Sequence, residues 1–370
     1  MPRDPQSALD ELYMSECLTL AVKGAGYVSP NPMVGAVIVK NGRIISRGYH
    51  QKFGGAHAEV HALRNARDKV RGATLYVNLE PCNFYGKTPP CTDAIISSRI
   101  SRVVVGAIDE NPMVAGGGIR RLRRAGIAVT VGVLEDECKK FNESFFKFIR
   151  HHTPFVTLKV AQTLDGKIAD KHGTSKWITN RMSRALVHQM RSRYDAVLVG
   201  ARTVDVDDPQ LTVRKVKGRN PVRIILSKSL EVSPEARVFS GAGEKILFTD
   251  PRAAGQRLAE RRQLIKRGTE IIDIPAGRTG KFSIPRILES LGRRGIASLL
   301  VEGGASTYSE FLRQRCVDKI LFFVAPKVLG NGLDAFGELT SNVLGKEVKF
   351  TNISSWNLDG DILIEAYVKK

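Results

Sequence analysis

His57-Ala58-Glu59, then Thr74-Leu75-Tyr76-Val77-Asn78-Leu79-Glu80-Pro81-Cys82, and then Cys91 form the stretch on which the reading of this chain turns. One histidine and two cysteines offer an imidazole and two thiolates. That is a ligand set for a zinc ion that keeps its fourth position open to water. Glu59 lies two residues past His57 and is not needed as a ligand. A carboxylate there can take a proton from a water and hand it to a leaving amine. A lone histidine or cysteine reads as a core residue. The order of these four, around the apolar run 74–79, points instead to a reaction site.

The pattern resembles the H-x-E and P-C-x-x-C signature of zinc-dependent nucleobase and nucleoside deaminases. It departs in one respect: eight residues, not two, separate Cys82 from Cys91. With that spacing, Glu80-Pro81-Cys82-Asn83-Phe84-Tyr85-Gly86-Lys87-Thr88-Pro89-Pro90-Cys91 resembles the riboflavin-biosynthesis deaminase family. Asn31-Pro32-Met33-Val34-Gly35 is similar to that family's substrate loop, and Asp109-Glu110-Asn111-Pro112 through Ile119 to a later one. The resemblance covers about the first 145 residues. It implies that His57, Cys82 and Cys91 hold zinc, that Glu59 is catalytic, and that Asn31, Lys87 and Asp109 bind substrate. The family usually carries histidine where this chain has Phe84, which bears on one polar substrate contact and not on the metal ligands.

At 370 residues the chain has length for two domains, each with its own core. Hydrophobic residues make up 42% and charged residues 25%, an ordinary globular balance. No apolar run approaches the roughly 20 residues of a membrane helix. Met1-Pro2-Arg3-Asp4-Pro5 lacks the apolar stretch of a signal peptide. Five cysteines, two of them assigned to metal, leave Cys17, Cys138 and Cys316 as reduced buried thiols, which predicts a cytoplasmic protein.

The net charge is +20, with 21 basic against 14 acidic residues in 1–150 and 36 against 23 in 151–370. Such an excess suits nucleic acid, whose phosphates release counterions to Lys and Arg. It equally suits solvated helix faces on a protein with anionic ligands. The basic clusters at Arg120-Arg121, Arg123-Arg124, Arg261-Arg262 and Arg293-Arg294 lack interleaved aromatics that stack bases. The second reading is adopted: a phosphorylated small molecule, no nucleic acid and no membrane.

Strands are predicted at 34–39, 42–49, 74–79 and 102–107, with helices at 57–66, 89–98, 119–125 and 134–148. The alternation predicts a three-layer α/β domain over 1–150, with the metal ligands at helix N-termini, where the helix dipole favours thiolates. His151-His152-Thr153-Pro154 reads as a linker. A second α/β pattern follows, with strands at 155–160, 196–199, 222–226, 245–248, 298–301, 319–324 and 362–367. Helices are predicted at 181–193, 284–293 and 306–314.

In the second half, Val301-Glu302-Gly303-Gly304-Ala305-Ser306 follows a strand and opens a helix, a junction whose free N–H groups suit an anion. It is not G-x-G-x-x-G, so no Rossmann fingerprint is present. Leu158-Lys159-Val160-Ala161-Gln162-Thr163-Leu164-Asp165-Gly166-Lys167-Ile168-Ala169 resembles the opening of the riboflavin-pathway reductase, a dihydrofolate-reductase-like α/β fold. So do Ser175-Lys176-Trp177-Ile178-Thr179, Gly200 to Val204, and Asp207 to Thr212 with Arg214. This resemblance spans most of 154–370, loosely over 228–285. It implies NADPH on Ala161, Trp177, Thr203, Asp207, Gly303, Gly304, Ala305 and Ser306. It implies substrate on Lys159, Ser175, Arg191, Leu211, Arg214 and Glu302. Arg191 and Arg214 suit bidentate pairing with a phosphate. Lys159 and Asp207 suit orienting or protonating the sugar.

Together the two resemblances imply a bifunctional riboflavin-biosynthesis deaminase and reductase, with Zn2+ and NADPH as cofactors and a homodimer or homotetramer as its assembly. The alternative is a tRNA or nucleic-acid base deaminase with an accessory domain. No residue in the sequence identifies itself as the partner of the NADPH 2′-phosphate.

Overall fold

The run Gly35–Lys40 forms strand β1, and its first five residues are all buried. A half-exposed strand alternates, so a continuous apolar run marks a strand covered on both faces. Thr74–Leu79 (β3) and Arg102–Ala107 (β4) show the same pattern. The structure is a computed structural model and describes residues 4–277, 279–337, 339 and 347–369. The first three residues of the Met1–Pro5 stretch lie outside them. The chain divides into two compact units, with the break between His152 and Thr153.

In the first unit, Arg43–Tyr49 (β2) and Ala128–Val131 (β5) complete a five-stranded sheet in the order β2-β1-β3-β4-β5. β1 pairs antiparallel with β2 and β3, while β3, β4 and β5 run parallel. Asn41 and Gly42 join β1 to β2 with φ of 52° and 71°, as a two-residue hairpin requires. Helices Pro5–Ala21, Ala58–Ala66, Cys91–Ser97, Gly117–Arg124, Glu135–Phe141 and Glu143–His151 surround the sheet. Gly35 packs against the first of these so closely that a Cβ there would lie 2.0 Å from Cys17 O. The architecture is the expected cytidine-deaminase-like one.

Two expectations need correction. The helix predicted over 134–148 is two helices, broken at Asn142, whose side-chain amide is committed to the backbone of Met33. Nor do all three ligands begin helices. His57 is the N-cap of Ala58–Ala66 and Cys91 is the first residue of Cys91–Ser97, but Cys82 lies in the loop after β3.

The second unit has a nine-stranded sheet. Its strands are β6 (Phe155–Thr163), β8 (Ala196–Gly200), β9 (Val222–Leu226), β10 (Lys245–Thr249), β11 (Thr269–Asp273), β12 (Ser298–Gly303), β13 (Lys319–Ala325), β15 (Phe350–Leu358) and β16 (Asp361–Val368). β7 (Lys167–Asp170) and β14 (Gly332–Asp334) form a separate ribbon. The order is β11-β10-β9-β8-β12-β6-β13-β16-β15. All neighbours from β11 to β13 are parallel, and β16 and β15 close the far edge antiparallel. This is a dihydrofolate-reductase-like α/β domain. From β8 the chain steps outward to β11, then returns to insert β12 between β8 and β6. Open α/β sheets bind ligands at such reversals, beyond the carboxyl ends of the strands.

Candidate functional site

In the first unit, His57 stands at the start of one helix and Cys91 at the start of another, bringing two ligands together from distant sequence. His57 Nδ1 lies 3.2 Å from Cys91 Sγ and 3.5 Å from Cys82 Sγ. All three ligand atoms fall within 4.8 Å of one another. Tetrahedral zinc with Zn–S near 2.3 Å and Zn–N near 2.05 Å sets an N···S edge of about 3.6 Å. The trio fits that ion. Cys82 Sγ also accepts the N–H of Cys91 at 3.3 Å, so it takes the helix N-terminus without lying on the helix.

The Cys91 thiol is placed to donate its proton in a hydrogen bond to Cys82 Sγ. The hydrogen bond from Cys91, helped by His57, pulls Cys82 below the ordinary thiol range. Cys91 is raised by the same bond and by burial. A divalent cation displaces that proton and leaves two thiolates. Glu59 is almost fully buried, and its Oε2 has no hydrogen-bond partner among the described residues. Burial raises its carboxyl above the ordinary value. A buried carboxyl oxygen without a partner is costly unless it meets a ligand or a proton.

His57, Glu59 and Cys82 line a cavity of about 290 Å³ that also takes Asn31, Phe84, Lys87 and Asp109, so the expected substrate residues converge on it. Lys87 Nζ stands 3.8 Å above the Phe53 ring. Burial pushes the Asp109 carboxyl up to about 7. Phe84 forms part of the wall and offers no polar atom. The sequence reading missed His50, which also lines the cavity. Its Nε2 accepts from Asn31 Nδ2 at 3.2 Å, so its protonated Nδ1 donates to Ala56 O at 3.0 Å. It missed Glu80 as well. That buried carboxylate accepts from the backbone N–H of Gly116 and Ile119, at 2.8 and 3.0 Å, and so seats the loop after Asp109. His50 belongs to no spacing pattern, and Glu80 opens the quoted motif without anything in it that assigns this role.

Two cavities in the second unit take the expected residues. The larger, about 690 Å³, is lined by Ser175, Thr203, Asp207, Gly304, Ala305 and Ser306 among others. The smaller, about 460 Å³, takes Lys159, Arg191, Leu211, Arg214 and Glu302. Ser175, Thr203, Asp207 and Gly304 line both. Ala161, Trp177 and Gly303, expected on the cofactor, line the smaller cavity only. Gly304 caps the helix Ala305–Arg313, whose first turn faces the larger cavity. A Cβ on Gly304 would sit 3.1 Å from Thr203 Oγ1, so the glycine lets the helix Ala201–Asp207 come close. Ser175 Oγ donates to Asp207 Oδ1 at 2.6 Å.

Arg191 departs from expectation. Its Nε and Nη2 bind Glu302 at 2.5 and 2.8 Å, with both side chains nearly buried. Its fork is therefore occupied by a carboxylate and is not free for a bidentate phosphate. Lys159 Nζ makes no hydrogen bond or ion pair among the described residues, and burial lowers its pKa. Burial, with Arg191 and Arg214 nearby, pushes His188 down to about 4, so it is a neutral acceptor for the Arg214 N–H at 3.2 Å.

The larger cavity also carries four cations that the sequence did not single out: Arg202, Lys228, Lys281 and Arg313. Lys281 and Arg313 pair with Glu310. Arg202 and Lys228 have no acidic partner among the described residues. Volume, a glycine-opened helix start and unpaired cations all suit a dinucleotide phosphate.

The chain matches the family model "Cytidine and deoxycytidylate deaminase zinc-binding region" over residues 7–107. It matches "RibD C-terminal domain" over 154–364. It is 45% identical to riboflavin biosynthesis protein RibD of Aquifex aeolicus, across 96% of this chain and 98% of that one. To the Escherichia coli RibD it is 38% identical, across 90% and 91%. A solved structure from Thermotoga maritima, titled a diaminohydroxyphosphoribosylaminopyrimidine deaminase/5-amino-6-(5-phosphoribosylamino)uracil reductase, is 44% identical. It superposes with a TM-score of 0.86 over 98% of this chain and 100% of that one. RibD of Acinetobacter baumannii, 34% identical, gives the same TM-score. A zinc-type ligand trio beside a buried carboxyl, a reductase sheet with paired cavities and full-length likeness together make this chain a member of the RibD family, a riboflavin-biosynthesis enzyme with a zinc-dependent deaminase region and an NADPH-using reductase domain.

Proposed function

We propose that residues 1–150 deaminate a diaminohydroxyphosphoribosylaminopyrimidine in the 290 Å³ cavity, and that residues 154–370 reduce the ribosyl chain of 5-amino-6-(5-phosphoribosylamino)uracil to ribityl. The observation that carries this reading is the unpartnered Glu59 oxygen in the cavity that His57 and Cys82 also line.

His57, Cys82 and Cys91 hold zinc, which when bound brings the pKa of a water to about 7. Glu59 takes a proton from the water and delivers it to the departing amine. Water adds at the ring carbon, the C–N bond breaks, and ammonia leaves. Asn31, Lys87 and Asp109 bind the substrate. Phe84 supplies an apolar wall, so the contact that a histidine gives elsewhere in the family falls to other groups here.

In the second domain, Thr203, Asp207 and Gly303 to Ser306 bind NADPH, with Ala161 and Trp177 beside its reacting end. NADPH when bound supplies a hydride. Ser175, Leu211 and Arg214 bind the substrate, and Arg191 acts by holding Glu302. Lys159, a buried amine without an acidic partner in hydrogen-bond contact among the described residues, gives its proton to the sugar oxygen as the ring opens. Lys228 and Arg202 meet the NADPH 2′-phosphate.

The substrate is a phosphorylated pyrimidine, and the protein is a cytoplasmic homodimer or homotetramer that uses neither nucleic acid nor membrane. No helix among the described residues is long and apolar enough to cross a membrane. The test is a coupled assay on the pathway's pyrimidine substrate. Ammonia release without NADPH, and NADPH oxidation only after deamination, are expected. Ammonia release from a tRNA adenosine or cytidine instead would overturn the reading.

A further inference from the structure

We propose that Asn142 is a positioning residue of the deaminase site: it clamps the backbone at Met33 so that the loop before β1 presents Asn31 to the cavity. The inference rests on the reading of Asn31 as a substrate-binding residue and adds to it a residue outside the cavity.

The Met33 N–H donates to Asn142 Oδ1 at 2.9 Å, and Asn142 Nδ2 donates back to Met33 O at 3.0 Å. A single side-chain amide thus satisfies both polar groups of one peptide residue. Asn78, on β3, works from the other side. Its Nδ2 donates to the same Met33 O at 3.1 Å, and its Oδ1 accepts the Gly35 N–H at 2.8 Å. Asn142 is 2% exposed and Asn78 is 0% exposed. Neither lines the cavity, whereas Pro30, Asn31, Pro32 and Val34 all do. The loop is therefore held through its backbone while its side chains remain available to the cavity.

The helix break gives the clamp its purpose. Residues 134–148 read as one helix, yet the chain stops at Asn142, with φ −109° and ψ 21°, and starts again. An unbroken helix would keep more intrahelical hydrogen bonds. What the break supplies is an Asn amide aimed at Met33, followed by a helix whose Phe145, Phe148 and Ile149 line the same cavity. Asn142 thus ties two walls of the cavity, the Asn31 loop and the helix Glu143–His151. Small displacements of a binding group cost rate out of proportion to the energy of the contact that held it.

The test is a double-mutant cycle in the full-length zinc-loaded protein, following ammonia release from the pyrimidine substrate. Asn142→Ala should lower kcat/KM roughly tenfold, mostly through KM, because the lost amide hydrogen bonds order a binding loop and not the reacting atoms. Zinc content should stay at that of the parent. Asn142→Asp, which keeps the shape and the acceptor but loses the donor to Met33 O, is the second variant should the alanine protein fold poorly. In the Asn31→Ala background either change at 142 should add little. If the two effects multiply in full, or if KM does not move at all, Asn142 serves stability only and the inference fails. If Asn31→Ala itself leaves KM unchanged, the reading of the site fails first, a result separate from either of those.

Discussion

Glu302 holds Arg191 through two parallel contacts, Oε1 to Nε at 2.5 Å and Oε2 to Nη2 at 2.8 Å, inside the reductase domain. Burial alone would raise the Glu302 carboxyl, but Arg191 overrides it and holds the pKa below the ordinary 4.5. A depressed carboxylate contributes stability in full above its unfolded value. That contribution is lost as pH falls below about 4.5 toward the lower native value. Glu302→Gln keeps the shape and leaves Arg191 buried without its counter-charge. Breaking such a pair costs about 3–5 kcal/mol. The thermal transition of the reductase domain should fall at neutral pH, and the gap to the parent should narrow below pH 4. An equal transition temperature at pH 7 would show that the pair is dispensable.

The zinc trio yields a direct measurement. Cys82→Ser removes a thiolate that also accepts the Cys91 N–H. Elemental analysis should find zinc largely lost from the purified variant. Because thiolates and a neutral imidazole are the binding forms, metal should also leave the parent protein as pH falls. Full retention of zinc by the serine variant would remove Cys82 from the ligand set.

On the proposed reading, Glu59 and Asp207 serve separate half-reactions. Glu59→Gln should keep zinc and fold while ammonia release falls roughly 10²–10⁴-fold, the usual contribution of a general acid–base group. NADPH oxidation on pre-deaminated substrate should continue. Asp207→Ala removes the acceptor of the Ser175 hydroxyl and should do the converse. Loss of both activities in each folded variant would mean that the sites are misassigned or obligately coupled.

Lys228 lines the larger reductase cavity without an acidic partner among the described residues. Lys228→Ala should weaken NADP+ binding roughly tenfold in calorimetry, the scale of a charge-assisted contact to phosphate. Binding of NAD+, which lacks the 2′-phosphate, should change little. Equal losses for both nucleotides would assign Lys228 to another part of the cofactor.

Residue chemistry at fixed spacing was legible from the chain alone. His57, Glu59, Cys82 and Cys91 read as a zinc site because ligand type and order restrict the possibilities; the histidine and two cysteines do converge, and Glu59 shares a cavity with His57 and Cys82. Apolar runs gave β3, β4 and β9 with the bounds the structure has, since strands buried on both faces carry a continuous signal. Helix Pro5–Ala21 was overlooked although its signs were present: Asp4 caps it and Pro5 takes its first position. The polar edge strand β15, exposed along most of its length, carried no comparable signal.

Tertiary structure decided the rest, because it depends on which distant groups meet. Arg191 faces a carboxylate 111 residues away, and a sequence shows only that Arg191 is basic. His50 joins Asn31 to the segment that carries His57, and Asn142 reaches Met33 across 109 residues. Lys228 stands out among 57 basic residues only because β9 ends beside the larger cavity. A chain determines by itself what its side chains can do and, through periodicity, where its strands and helices run. Which buried polar groups are satisfied and which stay open to a ligand is settled only when folding selects their partners, since an isolated residue carries no record of its neighbours.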